Sequence, residues 1–359
     1  MAAYTTIDNP GGYFNVVKWS GDGTSPRTIS GVGFQPGLTI LKARDSAQYW
    51  YTYDSVRGAG VSKEIHLDMN EAEGAAGGTT GYLSAFNSDG FVVTAGTSND
   101  NVTNDGALTY CSWNWKAGTT SGISGGDISP SGYSIDTTSK FGTYQYAGSG
   151  TDGDTIAHGL GAAPQMIIIK STSNTTDWEV GHHMLNVGTN PWQYQLFLNT
   201  NAAQRDDTGF SDTAPSSTLV TLGNVTNINN SGKTYVMYAF AGVQGFSKFG
   251  VYEGNGNADG TFIYLGFRPA MVIFKKTSGS NVWMLMDNER SSYNVMNEYL
   301  KPDLANAENN DEDVCDFLSN GVKLRASNGK YNESGSDYIY AAFAEAPLVN
   351  SEEVPCNAR

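Results

Sequence analysis

Three cysteines in 359 residues, Cys111, Cys315 and Cys356, are too few and too scattered for a disulfide framework. No Cys-x-x-Cys or His-x-x-x-His pair occurs, which removes the common zinc arrangements. No run approaches the roughly 20 apolar residues that a membrane-spanning helix requires, and residues 1–10 lack an apolar leader core. Basic residues are scarce, 21 Lys and Arg against 36 Asp and Glu, and they form no cluster. The electrostatic footprint of a nucleic-acid binder is therefore missing. A net charge of −15 favours solubility and keeps free subunits apart. Synthesis in a reducing cytoplasm without export is the simplest expectation.

What the chain has instead is turn formers and aromatics: 43 Gly, 20 Tyr, abundant Ser, Thr and Asn, and only 16% charged residues. Aromatic and β-branched residues between Gly, Asn and Ser turns specify many short strands. The pattern also recurs. A Pro, a Lys six residues later and a Trp eight after that appear as Pro36, Lys42 and Trp50, as Pro164, Lys170 and Trp178, and as Pro269, Lys275 and Trp283. Equal spacings of unrelated residue types point to a triplicated unit of roughly a hundred residues. The length agrees, since 359 residues exceed one domain of roughly 150.

Each unit opens with an aromatic strand that runs into a Gly turn, Gly21-Asp22-Gly23, Gly148-Ser149-Gly150 or Gly254-Asn255-Gly256. Between the marker Pro and Lys lie Leu38-Thr39-Ile40-Leu41, Met166-Ile167-Ile168-Ile169 and Met271-Val272-Ile273-Phe274. Such continuous apolar runs suit a central strand buried on both faces. The Lys that follows is expected to extend its ammonium to solvent. A closing strand runs from Tyr110 to Trp115, Tyr235 to Phe240 and Tyr338 to Phe343, with five residues from Tyr to the last aromatic each time.

The spacing predicts an all-β chain of three homologous β-sandwich repeats in tandem, jelly-roll-like, at residues 1–116, 141–242 and 243–346. Residues 117–140, dominated by Gly, Ser and Thr, read as a linker. Residues 347–359 read as a tail, disordered by default or else docked on a neighbour. The stretch 294–318 has room for a short helix.

Few residues carry a chemical signature. Asp54 with Arg57, and Asp287 with Arg290, stand four and seven residues after their Trp. That spacing suits an ion pair that closes a turn. The second unit has His182 and Leu185 there instead. Of the other histidines, His66 and His158 are isolated, and adjacent His182 and His183 point to opposite faces of a strand. Asp152-Gly153-Asp154 and Asp311-Glu312-Asp313 lack the ordered ladder of a calcium loop and read as solvated turns. Gly122-Ile123-Ser124-Gly125-Gly126 matches a nucleophile elbow only in letters, since no strand and helix flank it. Repeated Trp residues read as packing, whereas Trp192 in Asn190-Pro191-Trp192-Gln193-Tyr194 is the better candidate for a binding surface. No catalytic, cofactor-binding or metal-ligating residue is assigned, and ligand-binding residues stay unassigned. The positions where the copies disagree are the functional suspects: 117–140, the second-unit substitutions, 303–316 and the tail.

Further segments carry a resemblance. They are Tyr4-Thr5-Thr6-Ile7-Asp8-Asn9-Pro10 with Tyr13-Phe14, Tyr53-Asp54-Ser55-Val56-Arg57-Gly58, Gly245-Phe246-Ser247-Lys248-Phe249-Gly250, Gly266-Phe267-Arg268-Pro269, Ala341-Ala342-Phe343-Ala344-Glu345-Ala346-Pro347 and Asn357-Ala358-Arg359. Over nearly its whole length the chain resembles a family of virion structural proteins of tailed bacteriophages, many from marine hosts. The resemblance implies a particle-exterior component, a head decoration, tail accessory or tail fibre, assembled in the host cytoplasm. Its implied partners are other virion proteins of capsid or tail and further copies of itself, with no nucleic acid, membrane or cofactor. The family's motifs carry no assigned chemistry, so no site residue is transferred. The expectation is a non-enzymatic structural protein. A carbohydrate-binding adhesin that recognises host surface glycans is the alternative, and a polysaccharide depolymerase the lesser one. Three similar units in one chain also suit a threefold position.

Overall fold

Turn-rich, aromatic segments of this kind do not sustain helices. The computed structural model describes residues 4–357 and is all-β, with 39% strand and 3% helix, the latter in short 3-10 turns. The first third of the chain forms β1 (Phe14–Ser20), β2 (Arg27–Ser30), β3 (Pro36–Ala43), β4 (Tyr51–Asp54), β5 (Ile65–His66), β6 (Tyr82–Asn87), β7 (Gly90–Thr94) and β8 (Thr109–Lys116). The middle third forms β9 (Gly132–Asp136), β10 (Phe141–Ala147), β11 (Thr155–Ala157), β12 (Met166–Ser171), β13 (Glu179–His182), β14 (Tyr194–Phe197), β15 (Arg205–Asp206), β16 (Leu219–Thr221) and β17 (Thr234–Phe240). The last third forms β18 (Ser247–Glu253), β19 (Phe262–Tyr264), β20 (Phe267–Lys276), β21 (Met284–Asp287), β22 (Cys315–Leu318), β23 (Gly321–Leu324) and β24 (Asp337–Pro347).

One strand order occurs three times: β1-β8-β3-β4, β10-β17-β12-β13 and β18-β24-β20-β21, all paired antiparallel. A smaller sheet accompanies each, β2-β7-β6, β11-β16 and β19-β23-β22. A separate apolar cluster fills the space between each large sheet and its small one.

A fourth cluster draws on all three thirds of the chain. Period-two alternation explains it, because each marker strand divides its side chains between two cores. Leu41 of β3, Ile167 and Ile169 of β12, and Val272 and Phe274 of β20 face the local cores. Leu38, Met166, Met271 and Ile273 face the shared centre. The continuous apolar run is therefore the signature of a strand with two apolar neighbours. At the centre Trp115, Phe240 and Phe343, the last aromatics of β8, β17 and β24, close a triangle with ring centroids 5.5, 5.9 and 6.0 Å apart.

Around this centre the contacts run in a ring. Thr176 N donates to Asn70 O at 2.9 Å, Asn281 N to Asn201 O at 2.8 Å, and Glu308 N to Arg44 O at 2.8 Å. Each marker Trp joins the same ring. The indole of Trp178 donates to His66 O at 2.8 Å, that of Trp283 to Phe197 O at 3.0 Å, and that of Trp50 to Leu304 O at 3.0 Å. Burying an indole is worth about 4–6 kcal/mol at ~25 cal/mol/Å², against about 1 kcal/mol net for its hydrogen bond. The ring holds by apolar burial, and the indole bonds fix its register.

Four expectations change. The marker lysines do not reach solvent: Lys42, Lys170 and Lys275 are fully buried, Lys170 and Lys275 donating to Asn70 O and Asn201 O of the neighbouring third and Lys42 to Ala43 O and Ser46 O. Residues 117–140 include strand β9, which extends the middle sheet beside β10, and Ile128 and Ile135 are buried there. No helix forms in 294–318. The tail is an ordered arm over its described part. Asn350 and Val354 close a turn, Cys356 N donates to Leu348 O at 3.0 Å, and Ser351 bonds Asp8. Residues 358 and 359 lie outside the described residues.

Candidate functional site

The Asp–Arg pairs close turns at the ends of β4 and β21. Asp54 Oδ1 accepts from the backbone of Val56 and Arg57, and its Oδ2 takes Arg57 Nε at 2.5 Å. Asp287 treats Glu289 and Arg290 the same way, with Nε at 2.6 Å. All four side chains are fully buried; the guanidinium groups also bond Thr52 O, Lys63 O and Leu285 O of their own units, and the carboxylates reach across the ring. Asp54 accepts from Tyr238 Oη at 2.8 Å, and Asp287 from Trp113 Nε1 at 3.1 Å. Arg290 meets Glu308 at 2.7 Å, and Glu308 in turn takes Arg44 at 2.6 Å. These groups join one third of the chain to the next and present no atom to a substrate.

The same geometry accounts for His182. Trp113, Tyr238 and Ala341 hold one register position, opposite Ile40, Ile168 and Ile273. Trp113 and Tyr238 each offer a hydrogen to a carboxylate, and Ala341 offers none. Facing that part of β24, the second unit carries a His whose Nε2 lies 3.3 Å from Tyr340 O. Met184 N donates to its Nδ1, so the proton sits on Nε2. Burial pushes the His182 pKa down to about 3 and keeps the ring neutral.

The other candidates are also absorbed by packing. His66 stacks between Tyr49 and Tyr51, and His183 faces Phe249 O at 3.0 Å. His158 is buried against Ser216 O. Asp154 O and Gly153 N pair with Leu222, Asp311 accepts from Tyr299 Oη, and Glu312 meets Lys330. In 122–126, Ile123 N donates to Tyr133 Oη. Trp192 is not a surface residue. It lies 5% exposed, edge-on to Phe210, over Gly181, where a Cβ would come within 2.6 Å of either ring. Tyr53 and Met286 fill that position in the other units, so the glycine makes the room Trp192 occupies. Among the described residues, no three His, Cys, Asp or Glu side chains converge on a common point.

Sequence reading missed a second repeated constellation. Tyr110, Tyr235 and Tyr338 each donate through Oη to a carbonyl nine residues back, at 3.0, 2.8 and 2.9 Å. Each also accepts from the N–H five residues back. Asn104, Asn229 and Asn332, always six residues before that Tyr, latch the first Gly turn of their unit. An Asn-x5-Tyr spacing common to all copies was the available signal. Asp68, Asn199 and Asp303 likewise cap the N–H of Trp50, Trp178 and Trp283. Burial raises the pKa of Asp68 and Asp303 to about 6, and lowers Lys170 to about 7 and Lys42 and Lys275 to about 8.

Two hollows remain. The shared centre keeps an apolar cavity of about 60 Å³ between the marker strands and Trp50, Trp113 and Trp178, too small for an ordinary substrate. A cleft of about 350 Å³ opens at the junction of the second and third units, between 242–248 and 264–266. Tyr4, Gln165, Gln244, Lys248 and Tyr264 line it. Lys248 Nζ donates to Tyr264 O at 2.7 Å and stands 5.0 Å over the Tyr264 ring. Tyr4 Oη donates to Gly266 O at 2.8 Å, and Gln165 Oε1 accepts from Gly242 N at 3.1 Å.

Fold and hollows together define an all-β protein whose repeated polar residues knit antiparallel sheets around one shared apolar centre. The chain belongs to the family described as Domain of unknown function (DUF7483), whose family model matches residues 9–347. No curated protein and no solved structure matches it.

Proposed function

We propose that the chain is a non-enzymatic, surface-exposed structural protein of a tailed-phage particle, made of three homologous β-sandwich repeats of jelly-roll type closed into a ring. One observation carries this reading: the residues repeated across the copies are spent on building the copies and joining them. The marker Trp and Lys, the Asp–Arg pairs and the Asp and Asn caps all end in contacts within or between units. Selection on such residues preserves a rigid body with large outer surfaces, as an assembly component needs. A ring of three similar lobes in one chain also suits a threefold position beside capsid or tail proteins and further copies of itself. Production in the host cytoplasm accords with three unpaired cysteines. Mass spectrometry of purified particles of the encoding phage, before and after mild surface proteolysis, tests the proposal. The chain is expected among the particle proteins and is expected to be cleaved while the particle is intact. Its absence from purified particles refutes the reading.

A further inference from the structure

We propose that the cleft at the junction of the second and third units is a saccharide-binding site, present in the third unit alone. The three copies supply the comparison. Ile29, Ile156 and Ile263 are equivalent inward residues of β2, β11 and β19, opposite Phe91, Val220 and Val322. The residues on either side of that Ile point away from the core. They are Thr28 and Ser30 in the first unit, Thr155 and Ala157 in the second, and Phe262 and Tyr264 in the third. In the second unit this strand is covered by bridges from Gly126 and Ile128. In the third, Phe262 is 43% and Tyr264 49% exposed, on one side of a strand whose siblings carry small residues. Packing does not ask for those rings. Lys248 is specific too, since the first and second units have Asn15 and Gly142 at its register.

The chemistry of the lining selects the ligand. A pyranose offers a face of C–H groups to an aromatic ring and a rim of hydroxyls to amides and ammonium groups. Tyr264, half exposed, supplies a ring at the rim with the Lys248 ammonium against it, and Phe262 extends the aromatic strip beyond it. Gln165 and Gln244 supply amides, and the Tyr264 carbonyl takes one of the three hydrogens of Lys248. Among the described residues no carboxylate lines the cleft, although the chain carries a net charge of −15. The Lys248 ammonium therefore favours a neutral sugar or one bearing a carboxylate. A cleft of about 350 Å³ lies in the small-ligand range and accommodates about one or two sugar rings.

The site stands independently of any place in a particle, and the purified chain is sufficient to test it. Saturation-transfer difference NMR with cellobiose, chitobiose and digalacturonic acid is the measurement. At least one is expected to bind with a dissociation constant in the millimolar range. Tyr264→Ser, which installs the first unit's residue, is expected to weaken binding roughly tenfold, the effect of one stacked ring. Lys248→Asn, also the first unit's residue, is expected to remove any preference for digalacturonic acid. Circular dichroism and melting confirm that the variants fold, and Phe262→Thr replaces Tyr264→Ser if that variant does not. No transfer to any of the three sugars, or transfer unchanged in the folded variants, overturns the proposal.

Discussion

Glu179 stands in the second unit where Tyr51 and Met284 stand in the others, opposite Ile169, Leu41 and Phe274. Asn227 Nδ2 reaches its Oε2 at 2.8 Å, and Oε1 has no partner. Burial raises its pKa to about 8, so the folded state holds a proton that the unfolded chain releases near 4.5. Stability from this group is full below pH ~4.5 and is lost as pH rises to ~8. Glu179→Gln is expected to remove that loss, on the order of 5 kcal/mol, and to be more stable than the native chain at pH 9. Urea unfolding at pH 5, 7 and 9 measures it, and equal slopes against pH for both proteins would count against a protonated Glu179. The lysines act with the opposite sign. Their folded pKa values near 7 and 8 lie below 10.5, so the unfolded chain binds more protons in between, and stability rises with pH across that window. Tyr235→Phe leaves Asn230 N and Thr226 O without their partner and is expected to cost about 1–3 kcal/mol by the same unfolding assay. At this scale the sequence showed which residues repeat but not where they point. Lys170 read as solvent-bound because nothing local marks the loop of another unit, at Asn70, beside it.

At the scale of elements, the marker strands were legible because a run such as Met166-Ile167-Ile168-Ile169 leaves no polar face, and two cores claim its two faces. Strand β9 was not, because Gly132-Tyr133-Ser134-Ile135-Asp136 sits among turn formers and gains its pairing from β10 and from a bridge between Ile135 and Thr119. The ordered tail escaped notice for a similar reason, since Asp8 and Ser319 receive it from distant parts of the sequence. The second-unit departure from Asp to His was visible, but its cause lies across the ring at Ala341. His182→Asp would bury a carboxylate without the donor that Trp113 or Tyr238 gives its siblings. It is expected to cost about 3–5 kcal/mol, read as a lowered urea midpoint. A neutral outcome would mean that the register position opposite Ile273 does not govern the choice.

The whole molecule is tied together by a centre that no unit owns. Trp115, Phe240 and Phe343 each come from a different closing strand, and the ring of backbone and indole bonds returns from the third unit to the first. The threefold recurrence of the marker strands was readable from spacing alone. Closure was not, since a linear repeat and a ring share the same internal spacings and differ only in what the outward-facing residues meet. Phe240→Ala is expected to cost about 3–5 kcal/mol and to lower the melting of all three units together. Hydrogen exchange followed by mass spectrometry tests the shared centre most directly. Strands β3, β12 and β20 are expected to be the slowest segments and to exchange together, through one global opening. Exchange of one of these strands orders of magnitude ahead of the other two would contradict it.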